Sequence, residues 1–427
     1  MITIHRLLMA TIHRLLTITV HRLLTMRTLT TMILAAAITQ VVAAQTHTTL
    51  AVPNRANSTP WVAASGSFVA VAWGAAADGK GDIYLAVSRD GGRTFSAQVR
   101  VNSVAGDARI SGEIAPRVAL LAKPGDATPL ITVAWNAKDG TTQIRTARSR
   151  DGGQSFVDEM NRQTTGAIGD RGWQASTLDG RGTLHTIWLD HRAMAAAKAS
   201  GDHSEHKGEH DGVAMAQRSG LYYAADGMPE RELFKGVCYC CKTALAAGPR
   251  GEIYAAWRHV FAGNMRDMGF TMSRDGGKTF TPLTRVNQDG WSIQGCPDDG
   301  PAMAVDAKGV VHLVWPTVKN EQGVILYAIS QDGRTFSTPV RIPTLGGPKP
   351  SHPQIAIDKS GRVFVAWDES AGGIRRAAIA QVGATKAPEI LGDATSYPVL
   401  AGTNAGLVAV WTSGTPDKST IAVRAIQ

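Results

Sequence analysis

The cysteines are the residues of this chain whose types and spacing most directly suggest chemistry. Cys238, Cys240 and Cys241 lie within four consecutive residues, and Cys296 lies in a Gly-Cys-Pro segment. Thiolates are soft ligands that favour copper(I) or zinc. In an exported protein the same residues could instead form disulfides. The spacing therefore leaves metal binding, disulfide bonding and redox chemistry open.

Complete disulfide pairing is geometrically difficult for these four residues. Four cysteines allow three pairings, and each of them requires a bridge within the trio 238/240/241. Adjacent Cα atoms are about 3.8 Å apart, closer than the roughly 4.4–6.8 Å that is usual for a disulfide. The alternatives are a metal site, one bridge from Cys296 to the trio with two free thiols, or a redox-active cluster.

Histidines provide further candidate ligands. Three of them lie with three carboxylates within nine residues, 203–211, of an insertion that spans residues 193–219. Imidazole and carboxylate suit zinc, nickel or copper, although a His-rich tract can also be a solvated loop without a role. We expect copper or zinc if a metal is bound. The candidate histidine ligands are His203, His206 and His210 in the insertion, and His259 and His352 outside it.

Repeated turns and tryptophans indicate the elements that must position these residues. Four near-identical turns with an Asp-Gly centre recur at Ser88–Phe95, Ser149–Phe156, Ser273–Phe280 and Ser330–Phe336. Seven of the ten tryptophans end short apolar runs, at Trp73, Trp135, Trp188, Trp257, Trp315, Trp367 and Trp411. Four short strands per repeat at this period predict an all-β, seven-bladed β-propeller of four-stranded antiparallel blades. Six blades are the alternative, and residues 46–52 are expected to complete the last blade.

The turns match the Asp-box consensus Ser-x-Asp-x-Gly-x-Thr-aromatic. On this motif the chain resembles the sialidase-like Asp-box (BNR repeat) propeller superfamily over residues 46–427. The Cys-Tyr-Cys-Cys-Lys-Thr run, the Trp-Arg-His segment and the His-rich insertion together resemble an exported bacterial subgroup of these propellers. The resemblance implies an active site at the axial mouth opposite the boxes. There, three arginines bind a substrate carboxylate, a tyrosine backed by a glutamate attacks, and an aspartate acts as the acid.

Four residues are the candidates for these catalytic roles. Tyr397 lies in the predicted inner strand of the last blade, and Glu369 lies one blade earlier, where it could back the tyrosine. Arg192 and Arg258 follow marker tryptophans and could reach the mouth. The Phe/Tyr-Arg-Ile-Pro motif of the family has no counterpart around Arg55, so no motif fixes these assignments.

The amino terminus predicts export. Residues 1–25 contain three copies of an Ile/Val-His-Arg-Leu-Leu unit and are interpreted as a spurious or repetitive leader. Residues 26–44 have the pattern of a signal peptide with cleavage after Ala44, and residues 45–427 form a single propeller domain with the insertion at 193–219. Removing the four arginines of the first 44 residues reduces the formal charge from +9 to +5. We therefore expect a periplasmic or secreted monomer with no membrane span and no nucleic-acid partner.

Two functions from different classes follow from these patterns. The first is an exported propeller of the sialidase superfamily that binds or hydrolyses a glycan at the axial mouth, exo-sialidase-like if it is an enzyme. The alternative is an extracytoplasmic transition-metal protein, of the copper type, that uses the cysteine cluster and the His-rich loop. The expected partner is a glycan or other small molecule, or a metal ion.

Overall fold

The computed structural model describes residues 47–162, 165–201 and 212–427. The predicted leader and signal peptide lie outside the described residues, and so do His203, His206 and His210. The described residues form 28 β-strands arranged in seven four-stranded sheets, and within each sheet neighbouring strands are antiparallel. The prediction of a seven-bladed propeller is confirmed, and the six-bladed alternative is excluded.

Within each blade, the strands are given in order from the innermost to the outermost. The strands of blades one to three are β2–β5 (Ala56–Ser65, Phe68–Ala77, Lys80–Ser88, Val99–Arg100), β6–β9 (Arg117–Leu121, Leu130–Asp139, Thr141–Ser149, Val157–Asn161) and β10–β13 (Arg171–Leu178, Leu184–Asp190, Gly220–Ala225, Met228–Lys235). Those of blades four and five are β14–β17 (Ala244–Ala247, Ile253–Arg258, Met268–Ser273, Thr284–Arg285) and β18–β21 (Ala302–Val305, Val311–Lys319, Gln322–Ser330, Val340–Arg341). Those of blades six and seven are β22–β25 (Ser351–Ile357, Val363–Ala371, Ile374–Gln381, Glu389–Asp393) and β26–β28 (Thr395–Thr403, Gly406–Ser413, Thr420–Ile426) with β1 (Thr48–Leu50).

The ring closes through the first strand of the described chain. β1 pairs antiparallel with β28, with Thr49 opposite Ala422, and so supplies the outer strand of blade seven. Closure covers strand edges that an open ring would leave unpaired. The innermost strand of each blade contacts the innermost strands of both neighbours, and these seven strands line a central channel.

The hydrophobic core lies between adjacent blades. The seven marker tryptophans are each at most 2% exposed. One cluster joins strands of blades one and two, another joins blades four and five, and a third joins blades seven and one. Each sheet therefore buries apolar side chains on both of its faces, because each face packs against a neighbouring blade.

The Asp-Gly turns lie at the opposite end of the blades from the start of the inner strands. In the first turn the Asp90 carboxylate accepts hydrogen bonds from the amides of Arg93 (3.0 Å) and Thr94 (2.9 Å) and from the Ser88 hydroxyl (2.7 Å). Gly91 and Gly92 have φ of 77° and 91°, a region that non-glycine residues resist. The turn thus satisfies its own amides and needs no ligand to hold its shape.

Helical structure is limited among the described residues. Helix α1 (Arg192–Ala199) and helix α2 (Gly212–Gln217) flank the undescribed part of the blade-three insertion, and single 3-10 turns occur at Ala262–Asn264 and Pro416–Lys418. In the described part of the chain no helix combines the length and apolar character needed to span a bilayer.

Candidate functional site at the axial mouth

Backbone irregularities gather where the inner strands begin, at the end of the channel here called the axial mouth. Thr59, Trp173, His352 and Tyr397 occupy matching places in blades one, three, six and seven, each with φ between 50° and 55°. Each lies at a register shift in the pairing of its inner strand. Bulges redirect side chains, and a left-handed non-glycine residue costs about 1–3 kcal/mol. The fold therefore maintains four strained positions at one end of the channel.

Two of these strained residues converge on one buried carboxylate. His352 Nδ1 lies 2.9 Å from an oxygen of Asp368, and the Tyr397 amide donates to the same carboxylate at 2.6 Å. The rings of His352 and Tyr397 are 4.3 Å apart between centroids. Arg375 forms an ion pair with Asp368 from the solvent side, with its side chain 40% exposed. Asp368 thus orients the imidazole and fixes the backbone that presents the tyrosine.

A second buried carboxylate, Glu113, faces the other nitrogen of the imidazole. His352 Nε2 lies 3.9 Å from Glu113, and Lys242 Nζ lies 3.5 Å from it. Lys242 also donates to the carbonyl of Pro353 at 3.0 Å and lies 4.0 Å from Asp299. We call Glu113, Lys242, Asp299, His352, Asp368, Arg375 and Tyr397 the mouth cluster.

The two buried carboxyl groups on either side of His352 have pKa values shifted in opposite directions. Burial raises the pKa of Glu113 to about 7, because the attraction of Lys242 only partly offsets the loss of hydration. Burial also acts on Asp368, but His352 and Arg375 outweigh it and lower its pKa. Burial lowers the pKa of His352, yet Asp368, Asp299 and Glu113 together raise it. At neutral pH the cluster therefore contains a carboxyl near its midpoint beside an ionised carboxylate and an imidazole whose protonated form the neighbouring carboxylates favour.

The space at the mouth is small, and the channel behind it is larger. A cavity of about 20 Å³, lined by Thr59, Gly112, Glu113, His352 and Tyr397, could hold a single water or hydroxyl group. A second cavity of about 200 Å³ continues along the inner strands past Lys242. Only a single hydroxyl group of a larger molecule fits the mouth in this arrangement.

Burial raises the pKa of the Tyr397 phenol to about 12, with a further contribution from Asp368. The phenol therefore stays protonated near neutral pH. Tyr397 can donate a proton or a hydrogen bond at the mouth, but it is poorly prepared to attack as a phenolate.

Glu369 does not back Tyr397, contrary to expectation. Glu369 and Asp368 are consecutive residues of β23, so their side chains project to opposite faces of the sheet. Glu369 accepts a hydrogen bond from the amide of Leu345 instead. The carboxylate beside the tyrosine is Asp368, one residue away from the residue that the sequence suggested.

The two candidate arginines do not belong to the mouth cluster either. Arg258 is 1% exposed, and its guanidinium donates to the carbonyls of Asp299, Arg266 and Pro316 at 2.8–3.1 Å. Its cationic carbon lies 5.0 Å from the ring centre of Trp291. It therefore joins blades four and five through three backbone carbonyls.

Arg192 begins α1, just after the second strand of blade three ends beside the start of the inner strand. It makes ion pairs with Asp190 (2.7 Å) and Glu230 (2.8 Å) and lies over the ring of Tyr222. Its charge is thus satisfied by two carboxylates of its own blade, neither of which belongs to the mouth cluster.

The structure brings all four cysteines together beside the mouth. Their sulfur atoms all lie within 4.8 Å of one another. Cys240 and Cys296 form a disulfide between the segments that lead into blades four and five, with Cα atoms 6.4 Å apart. Cys238 and Cys241 are free thiols whose sulfurs are 3.0 Å apart. This is the arrangement of one bridge from Cys296 to the trio with two thiols left over.

The pKa values of the two free thiols are shifted in opposite directions. Burial raises the pKa of Cys238, but the hydrogen bond with Cys241 and the guanidinium groups of Arg258 and Arg266 outweigh burial and lower it to about 7. Burial, and the neighbouring Cys238, raise the pKa of Cys241 well above its usual value. Arg266 Nη1 lies 3.7 Å from the sulfur of Cys238, so the cationic partner is in direct contact.

Neither His259 nor His352, the two candidate ligands in the described part of the chain, belongs to the group of four sulfurs. The Nδ1 of His259 accepts a hydrogen bond from the indole of Trp257 at 3.3 Å, and its ring packs against Phe261. Burial lowers the pKa of His259 to about 4. His352 belongs to the mouth cluster. With the disulfide present, the site offers two soft ligands, which fits copper(I) better than four-coordinate zinc.

Several mouth residues were missed by sequence reasoning. Glu113 precedes the inner strand of blade two, and Asp299 follows Cys296 in a Pro-Asp-Asp-Gly segment, but neither lies in a repeated motif. Asp368 could have been found, because it directly follows a marker tryptophan and strand alternation separates it from Glu369. Lys242 adjoins the cysteine trio, and its contact with Glu113 of blade two depends on ring closure.

Comparisons with known proteins support the fold. No protein-family model and no curated protein matches this chain. Among solved structures, an ulvan lyase of family PL25 has a TM-score of 0.51 at 8% identity, covering 87% of this chain and 96% of that one. An α-L-arabinanase from Penicillium chrysogenum has a TM-score of 0.45 at 13% identity, covering 88% and 98%. The NanB sialidase from Streptococcus pneumoniae, in mutant form, has a TM-score of 0.43 at 10% identity, covering 74% and 65%.

Proposed function

We propose that the protein is an exported propeller that binds a saccharide at the axial mouth, with one hydroxyl group in the small cavity, and transfers protons to it. The observation that carries this proposal is the convergence of Glu113, His352 and Tyr397 on one small cavity, with Asp368 behind them. The ulvan lyase of similar fold is a polysaccharide lyase, which supports a glycan as the ligand.

The roles follow from the protonation states. Glu113, with a pKa raised to about 7, can donate a proton to a leaving oxygen. Tyr397 donates a hydrogen bond, since its pKa is raised to about 12. The Asp368 carboxylate holds the imidazole of His352 in place and favours its protonated form, which can stabilise negative charge on the substrate. Glu113 is the residue most directly suited to act as general acid.

The charges of the mouth favour a neutral saccharide over a sialic acid. Recognition of a carboxylate usually uses guanidinium groups with free paired donors. At the mouth, Arg375 is paired with Asp368, and Arg117 packs over Trp61 at 3.8 Å and donates to the carbonyl of Gln174. An exo-sialidase activity, which the sequence resemblance suggested, therefore has less support than action on a neutral sugar.

A substrate screen with matched variants tests this proposal. Purified protein is offered neutral and acidic fluorogenic glycosides and a glycan array. We expect a neutral saccharide to bind, and Glu113→Gln to lower kcat about 10²–10⁴-fold where hydrolysis is found. Tyr397→Phe should weaken binding as well. Tyr327→Phe is the control, because the hydroxyl of Tyr327 bonds His312 in the outer part of blade five. Absence of binding to any saccharide, or equal losses in the two tyrosine variants, would refute the proposal.

A second candidate function is extracytoplasmic copper binding, which the two adjacent free thiols favour. Cys238 and Cys241 are buried with their sulfurs 3.0 Å apart, and Arg266 contacts the sulfur of Cys238. Copper(I) bound there would be shielded from water, and the arginine would balance thiolate charge. We expect one copper(I) per chain in an anaerobic titration against a chromogenic chelator, and none in Cys238→Ser/Cys241→Ser. Equal binding by the two proteins, or none by the native chain, would exclude this function.

A further inference from the structure

The cysteine cluster combines a disulfide and a dithiol within reach of each other. Cys240 and Cys296 are bonded, Cys238 and Cys241 are not, and all four sulfurs lie within 4.8 Å. Disulfides rearrange when a thiolate attacks one of their sulfurs and displaces the other. The attacking and attacked atoms are therefore already neighbours in the folded protein.

Cys296 is the least buried residue of this cluster. Cys238, Cys240 and Cys241 are at most 8% exposed, whereas Cys296 is only partly buried. Cys296 lines a cavity of about 280 Å³ together with Trp291, Pro297, Pro316, Lys349 and Pro350. A cavity of this size can admit a small thiol or disulfide. Among the four, Cys296 is the sulfur placed to react with a molecule from outside.

The surroundings of Cys296 suit a departing thiolate. The amide of Asp298 donates to its sulfur at 3.3 Å. At the other end of the reaction, Arg266 contacts the sulfur of Cys238 and would stabilise that thiolate before it attacks. Donors are thus present at both the attacking and the leaving sulfur, which is the arrangement that exchange requires.

We propose that the cluster is a thiol–disulfide exchange site in which the single disulfide moves between Cys240–Cys296 and Cys238–Cys241. The Cys238 thiolate attacks the sulfur of Cys240, a Cys238–Cys240 bond forms, and Cys296 leaves as a thiolate. Cys241 then attacks Cys238 and displaces Cys240. The two protons of the original dithiol end on Cys240 and Cys296, and the number of disulfides stays at one, so no external oxidant takes part.

The consequence is a reactive thiol at the cavity. In the second arrangement Cys296 is free and can exchange with a small-molecule disulfide that enters the cavity, forming a mixed disulfide and releasing one thiol. The exchange also removes the covalent link between the segments entering blades four and five. Lys242 of the mouth cluster follows Cys240 by two residues, so the link lies close to the saccharide site. The exchange activity itself does not depend on saccharide chemistry.

Alkylation of the oxidised protein tests the exchange. Native protein with one disulfide is held with a metal chelator, treated with iodoacetamide over time, and mapped by peptide mass spectrometry without reduction. We expect a Cys238–Cys241 bridged peptide together with alkylated Cys296. In Cys238→Ser the bridge to Cys296 cannot be displaced in this way, and alkylation of Cys296 should fall about tenfold or more.

Cys241→Ser is the matched variant. It retains the first step and lacks the second, so it should accumulate the Cys238–Cys240 bond with Cys296 alkylated. Equal alkylation of Cys296 in the native protein and Cys238→Ser would overturn the proposal. If either variant fails to fold, the native peptide map decides alone, since a map with only the Cys240–Cys296 bridge at all times also overturns it.

Discussion

At the scale of single residues, two similar side chains at the mouth differ in pKa because their contacts differ. Glu113 and Asp368 are both buried carboxyl groups close to the same imidazole. Asp368 has a hydrogen-bonded histidine, an arginine and a backbone amide, which keep it ionised. Glu113 has a lysine at 3.5 Å, which offsets only part of its desolvation. Acid and base character are thus assigned by contacts rather than by residue type.

The raised pKa of Glu113 predicts a specific pH dependence of stability. Its folded pKa of about 7 exceeds the ordinary value of 4.5, so its contribution is fully present below pH 4.5 and is lost as pH rises through 7. Glu113→Gln cannot ionise and removes this loss. The free energy of unfolding of the variant relative to the native protein should therefore rise between pH 4.5 and 8, by about 3 kcal/mol at most. Denaturant titrations across this range measure it.

Glu252→Gln is the control for this prediction. Burial raises the pKa of Glu252, but hydrogen bonds and Arg250 outweigh burial and lower it. Its stabilising contribution is present above pH 4.5 and is lost as pH falls through the lower folded value. The Glu252 variant should therefore show a constant difference from the native protein between pH 4.5 and 8. A constant difference for Glu113→Gln would contradict the assignment of Glu113 as a neutral, buried acid at low pH.

At the scale of elements, the outer turns and the inner strand starts have separate purposes. The Asp-Gly turns satisfy their own amides at one end of the blades. The bulges at Thr59, Trp173, His352 and Tyr397 lie at the other end and carry backbone strain. Strain of this kind persists only where surrounding structure enforces it. The antiparallel pairing of each inner strand with the second strand of its blade supplies that enforcement.

Asp90→Ala tests the structural role of the turns. The substitution removes acceptors for the amides of Arg93 and Thr94 and for two hydroxyls. Because the turn is exposed and water can replace part of these bonds, we expect a loss of about 1–2 kcal/mol in unfolding free energy. Saccharide binding at the mouth should be unchanged. Thermal and denaturant unfolding provide the measurement, with exposed Asp417→Ala as control. A loss no greater than that of the control would show that the carboxylate does not stabilise the turn.

At the scale of the whole molecule, ring closure creates the functional site. The mouth cluster draws Glu113 from the loop before blade two, Lys242 from blade four, His352 from blade six and Tyr397 from blade seven. These contacts require all seven inner strands to meet around the channel, which the pairing of β1 with β28 secures. Since each hydrophobic cluster joins neighbouring blades, stability and site geometry depend on the same closed ring.

Much of the fold could be predicted because its signals are local and repeated. The marker tryptophans and the Asp-Gly turns specify strand ends and hairpins within a few residues, and their number gave the blade count. Proximity of Cys296 to the trio was also predictable, since both segments precede inner strands of adjacent blades. The mouth residues are different, because Glu113 and Lys242 are 129 residues apart and share no motif.

The sequence by itself determined the architecture, the grouping of the cysteines and the presence of Tyr397 at the mouth. The tertiary structure decided that Asp368 rather than Glu369 stands beside Tyr397, that Arg192 and Arg258 are engaged elsewhere, and that Glu113 is the buried acid. The reason is physical. Strand period and turn chemistry depend on neighbours along the chain, whereas burial, charge pairing and protonation depend on groups that meet only when the ring has closed.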